Sequence, residues 1–85
     1  MIIMEIVHRP EENRFVAEVD GFTAYVEYQL GEGSFDILHT IVPKEIGGRG
    51  IAGELVRAAY DYAEAQGWEK LSSCSYAARW LERHQ

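Results

Sequence analysis

"VPKEIGGRGIAGELV", residues 42–56, decides how the chain is read. Glycines stand at 47, 48 and 50, beside Arg49 and just ahead of an amphipathic run. Glycine loses more conformational freedom on folding than any other residue, so packing does not call for it here. Either the backbone turns where other residues cannot, or a ligand comes close to it. Free backbone N–H groups at a glycine-rich helix start form an anion site. The functional reading is a phosphate or pyrophosphate cradle, with Arg49 adding charge; the bland one is a tight turn.

Downstream, Ile51, Ala52, Leu55, Val56, Ala59, Tyr62 and Ala63 recur at helical spacing, with Glu54, Arg57, Asp61 and Glu64 outside. The spacing predicts a helix from about Arg49 to Gln66, with Gly67 as its C′ residue. "WEKLSSC" (68–74) reads as a short strand, and "SYAARWLERH" as a last helix with Ser75 as N-cap. Upstream, "FDILHTIV" (35–42) places Phe35, Ile37 and Ile41 on one face and Leu38 and Val42 on the other. That pattern predicts a central strand covered on both sides. "IIMEIVHR", "RFVAEVD" and "FTAYVEYQL" read as three antiparallel strands. "PEEN", the hairpin signal Asp20-Gly21 and "GEGS" supply the turns. The order is β-β-β-β-α-β-α, an α/β (α+β) mixed sheet of about five strands in which the last two are parallel across a right-handed βαβ unit. Residues 1–85 form one domain.

Charge narrows the function. The net charge is −6. Acidic residues Glu5, Glu11, Glu12, Glu18, Asp20, Glu27, Glu32 and Asp36 face only Arg9 and Arg14 in the first half, while the second half is balanced. Nucleic-acid binding needs a basic footprint and is excluded. An acidic half suits a cationic partner, such as a basic protein or peptide, although a solvated surface explains it too. Met1 to Val7 is too short for a spanning helix and lacks a signal-peptide layout, so no membrane role is expected. The only cysteine, Cys74, allows no internal disulfide, which fits a cytoplasmic setting. No residue cluster suggests a metal site.

Gly48-Arg49-Gly50-Ile51-Ala52-Gly53 matches G-x-G-x-x-G literally. The dinucleotide fingerprint fits poorly. Pro43 to Gly47 separate the strand from the first glycine, Glu69 opens the next strand instead of ending it, and the upstream strands are antiparallel. A P-loop is excluded, since no Lys-Ser/Thr pair follows.

The string "HTIVPKEIGGRGIAGELV…AAYDYAEAQGW…CSYAARWLERH" resembles the GNAT acetyltransferase superfamily, in particular short single-domain members with His-Thr-x-Val-Pro, Gly-x-Gly-Ile-Ala and Cys-Ser-Tyr segments. The superfamily's coenzyme A motif is Gln/Arg-x-x-Gly-x-Gly/Ala. Here Gly48 and Gly50 match, Glu45 departs, and Gly47 replaces a larger residue. The resemblance implies an N-acetyltransferase moving acetyl from acetyl-CoA to an amine: a protein lysine, an N-terminus or a small amine. It implies pantetheine pairing along Ile41, Val42 and Pro43, and a pyrophosphate on the amides of Gly47, Gly48, Arg49, Gly50, Ile51 and Ala52. A non-catalytic acyl-CoA-binding or protein-interaction module is the alternative.

Longer members carry Asn-x-x-Ala-x-x-Phe-Tyr after the fifth strand. Ala77 and Trp80 fit that pattern; Cys74 takes the Asn position and Leu81 the Tyr position, so the usual acid is missing. Cys74 and His39 are the candidate catalytic pair, expected at the same end of the parallel strands. Each also has a bland reading, a small buried thiol and a packed histidine. Tyr76 and Arg79 are further candidates to line the cofactor channel. His8 and His84 are expected in solvent, and Tyr60, Tyr62, Trp68 and Trp80 in packing.

Overall fold

A computed structural model describes residues 4–84. Ile2 and Ile3, the start of the expected first strand, lie outside them. Five strands, β1 (Ile6–Arg9), β2 (Arg14–Val19), β3 (Phe22–Gly31), β4 (Ser34–Ile41) and β5 (Glu69–Ser72), form one sheet in sequential order. Helix α1 (Ile51–Gln66) crosses from β4 to β5, and α2 (Ser75–Arg83) follows. β1 to β4 pair antiparallel, and β4 pairs β5 in parallel. This is the mixed α+β sheet the sequence predicts.

Local chemistry sets the turns. Asp20 and Gly21 both take positive φ, 51° and 82°, in a two-residue hairpin between β2 and β3. Such a turn matches the twist of the strands it joins. Gly67 closes α1 in the left-handed region, and Trp68 N reaches back to the Ala63 carbonyl at 3.0 Å. Gly50, at φ 77°, is the N-cap of α1, so the helix starts two residues later than the Arg49 expected from its apolar stripe.

Both helices cover one face of the sheet. Phe15, Ala17, Ala24, Val26, Tyr28, Phe35 and Ile37 point from the strands into that core, where Ile51, Leu55, Val56, Ala59, Tyr60 and Ala63 of α1 meet them. Ala77 and Trp80 of α2 extend it. Tyr60 falls outside the expected stripe yet is 2% exposed. It packs 5.9 Å from the Trp80 ring and donates its hydroxyl to the Leu71 carbonyl at 2.7 Å. Burial pushes its phenol up to about 12, so it stays a donor.

Two expectations change. β4 is flanked by strands on both sides but covered on one face only. Its register against β3 shifts between Tyr28–Ile37 and Glu27–His39, which leaves Leu38 without a partner. One extra residue reverses the alternation. Thr40, opposite Val26, therefore lies on the core face, while His39 and Ile41, opposite Glu27 and Tyr25, lie on the uncovered face. The apolar residues on both sides of "FDILHTIV" come from this slip. Second, His8 is half-buried rather than free in solvent. Its ring stacks on Phe15 at 4.1 Å, and Nε2 lies 2.6 Å from the Tyr28 hydroxyl. His84 is exposed as expected, with its ring stacked on Trp80 at 4.1 Å.

Candidate functional site

The parallel ladder is short. β5 ends at Ser72 opposite Ile37, and the amides of Ser73 and Cys74 both bond to the Ile37 carbonyl, at 3.0 and 3.1 Å. Asp36 fixes this turn by accepting from the Ser73 amide at 2.7 Å and its hydroxyl at 2.8 Å. From there the chain leaves the sheet into α2, while β4 runs on to Ile41. Beyond Ile37 the edge of β4 therefore faces no strand, and its backbone groups on that side are open to an extended ligand.

The glycine loop follows this open edge. Lys44–Ile46 make one 3-10 turn, pinned by the buried Ile46. Gly48 and Gly50 have φ of 75° and 77°, and a Cβ on either would meet nothing within 4 Å. Glycine is needed there for the backbone conformation, and the space above is free. No hydrogen bond among the described residues is donated by the amides of Gly48, Arg49, Gly50, Ile51, Ala52 or Gly53. These donors, at the positive end of a 16-residue helix, fit a diphosphate. Gly47 differs: its φ is −70°, and its amide already donates to the Lys44 carbonyl at 3.1 Å. The Pro43 carbonyl is likewise taken, by the Ile46 amide at 3.1 Å. The Arg49 guanidinium is held by Asp20 at the β2–β3 turn.

Cys74 sits where the strand edge and the start of α2 meet. It is the N-cap of α2, the place expected for Ser75, which is the first helical residue. Its thiol contacts the Thr40 hydroxyl at 3.5 Å. Burial pushes the thiol up; the Thr40 hydroxyl and the amides of Ala77, Tyr76 and Thr40 outweigh this together and hold it below its ordinary value. The helix amides lie toward the sulfur without closing a capping hydrogen bond.

The structure does not bring His39 to the thiol. His39 is exposed on the uncovered face, and the residue that reaches Cys74 from β4 is its neighbour Thr40. The sequence pattern does not point to Thr40, because an unbroken alternation puts residue 39, not 40, on the inner face. A bulge leaves no composition signal in an apolar strand. Tyr76 is 37% exposed, and its hydroxyl lies 3.5 Å from where a Cβ on Gly53 would be. It thus spans from the start of α2 to the first turn of α1. Arg79 is exposed on α2. Ile41 is exposed and Val42 packs partly against the core.

The open edge of the bulged strand, with a thiol against Thr40, and the donor-rich glycine turn that follows have the shape and donors to fit an extended, anionic ligand. The family model for the GCN5-related N-acetyltransferases matches residues 14–85, and the chain belongs to that family. It is similar to the solution NMR structure of a GCN5-like protein of Staphylococcus aureus with a proposed N-acetyltransferase activity. The identity is 30%, over 94% of this chain and 79% of that one, with a TM-score of 0.74. Family members use acetyl-CoA. No described helix is long and apolar enough to cross a membrane.

Proposed function

We propose that the protein is an N-acetyltransferase that moves the acetyl group of acetyl-CoA to an amine. The observation that carries this is the run of undonated amides from Gly48 to Gly53 following the open edge of β4, with the Cys74 thiol against Thr40 on that edge. Ile41 and Val42 offer backbone groups to pantetheine. The amides of Gly48, Arg49, Gly50, Ile51 and Ala52 hold the diphosphate, with Gly53 as a further donor. When bound, acetyl-CoA supplies the acetyl group as a thioester. Thr40 and the start of α2 favour the Cys74 thiolate, which suits two roles. As a nucleophile, its sulfur bonds to the acetyl carbon as the coenzyme A sulfur leaves, and the amine then displaces it. As a thiol, it gives its proton to the leaving coenzyme A sulfur while the amine attacks directly. His39 acts from the uncovered face as the base that takes the amine proton.

The test is mass spectrometry after incubation with acetyl-CoA, with and without a panel of amines and basic proteins. Acetylated amine with free coenzyme A is the expected result. Binding without consumption of acetyl-CoA would leave a non-catalytic acyl-CoA module. An adduct on Cys74 that an amine discharges identifies the covalent route; full turnover by Cys74→Ala removes the cysteine from both.

A further inference from the structure

The sheet face opposite the helices carries a row of cross-strand partners from the outer edge to the site. Val7 lies opposite Val16, Val16 opposite Tyr25, and Tyr25 opposite Ile41. Val7 is 42% and Ile41 44% exposed, although both belong to a sheet interior by type, while Val16 between them is buried at 7% and forms the floor. Three strand spacings of about 4.8 Å make this row roughly 14 Å long. It ends at the part of β4 whose edge is open.

Charge flanks the row unequally. On one side Arg14 lies 3.3 Å from Glu27 and 4.1 Å over the Tyr25 ring, and Arg9 is paired with Glu12 at 4.0 Å. Arg14 is occupied, and Arg9, in a long exposed pair, stands at the near end of the groove. On the other side Glu5 and Glu18 line one shallow groove with Val7, Val16 and Arg9. Neither carboxylate has an ion-pair partner among the described residues. A groove with an apolar floor and free carboxylates at its rim matches a lysine or arginine side chain, whose stem is apolar and whose head is cationic. A basic segment complements this rim better than a second copy of the chain, which brings a net charge of −6.

We propose that this uncovered face docks a basic, extended protein segment and presents one of its lysines to the β4 edge from the side that carries His39. The occupant is a polypeptide, because the row is longer than one side chain. An extended chain covers roughly 14 Å in about four residues. The segment therefore carries a second cation about four residues from the acceptor lysine, seated on Glu5 and Glu18. This rests on the acetyltransferase reading for the word acceptor, and on the face alone for the docking.

The test uses the whole protein and a capped decapeptide of alternating lysine and threonine, read by fluorescence anisotropy and by amide shifts. Glu5→Lys/Glu18→Lys is expected to weaken peptide binding at least tenfold at low salt and to leave coenzyme A affinity unchanged. Glu5→Gln/Glu18→Gln should fall between it and the unmodified protein. Asp61→Lys/Glu82→Lys, the same charge change on the helical side, should have less than a threefold effect. Shifts should follow Val7, Val16 and Tyr25. Equal loss in both lysine variants, shifts confined to α1 and α2, or spermidine binding as tightly as the peptide would overturn the proposal. So would a dimer that buries this face. Peptide bound on this face without any acetyl transfer would keep the surface and refute the acetyltransferase reading. Transfer to small amines with no peptide binding would do the reverse.

Discussion

Gly50 and Gly67 form a matched pair that separates backbone strain from ligand contact. Both have φ of 77°, and a Cβ added to either meets nothing within 4 Å. Alanine at either site therefore carries only the left-handed backbone cost, about 1–2 kcal/mol. The stiffer unfolded chain offsets about 0.4–1 kcal/mol of it. The net loss is about 1 kcal/mol, which lowers Tm by about 4–8 °C in a domain of this size. Thermal unfolding without ligand should show the same fall for Gly50→Ala and Gly67→Ala. Coenzyme A should then divide them. At Gly50 the methyl enters the free space at the helix start that the diphosphate is expected to fill, so affinity should drop at least tenfold, measured by calorimetry. At Gly67, at the far end of α1, affinity should stay within twofold. Equal coenzyme A affinity in the two variants would refute the claim that the loop is the cradle, since their strain is the same.

Three further outcomes follow from single contacts. Thr40→Val removes the hydroxyl beside Cys74 and keeps the β-branched shape, so the thiol should titrate higher and react more slowly with iodoacetamide at neutral pH; an unchanged pH profile would take Thr40 out of the site. Asp20→Asn releases Arg49 from an exposed pair that contributes at most about 1 kcal/mol, so coenzyme A affinity should rise by up to about fivefold in titration calorimetry; a fall would show that Asp20 orients Arg49 instead. Burial holds His8 below its ordinary value of 6.5, with Glu11 opposing, so the folded state binds its proton less readily than the unfolded one. Stability should then decline as pH falls below about 6.5 and level off beneath the lowered folded value, and urea midpoints at pH 7.5 and 5.5 should differ less in His8→Phe; an equal difference would clear His8 of that role.

Local signals in the sequence were legible and distant ones were not. Asp20-Gly21, the stripe from Ile51 to Ala63 and Gly67 each fix their structure through residues close in the chain, so the sheet order and the βαβ unit could be read directly. The glycine loop was legible for the same reason. The bulge at Leu38 was hidden, because Phe35, Ile37, Leu38, Ile41 and Val42 fit an unbroken strand as well as a slipped one. That one residue decides whether His39 or Thr40 meets Cys74. His8 looked like an edge residue because its partners Phe15, Tyr28 and Tyr62 join it only through tertiary packing. Tyr60 packs as its residue type suggests, but its place beside the apolar stripe depends on Trp80, twenty residues later in another helix.

The most direct test of the account is a titration of the 15N-labelled protein with coenzyme A, followed by amide shifts. Saturable shifts are expected at Gly48 to Gly53 and along Leu38 to Val42, with Cys74 and Tyr76 moving alongside them. Shifts centred on the groove of Arg57, Lys70 and His84 between α1 and α2, or none at millimolar coenzyme A, would contradict it.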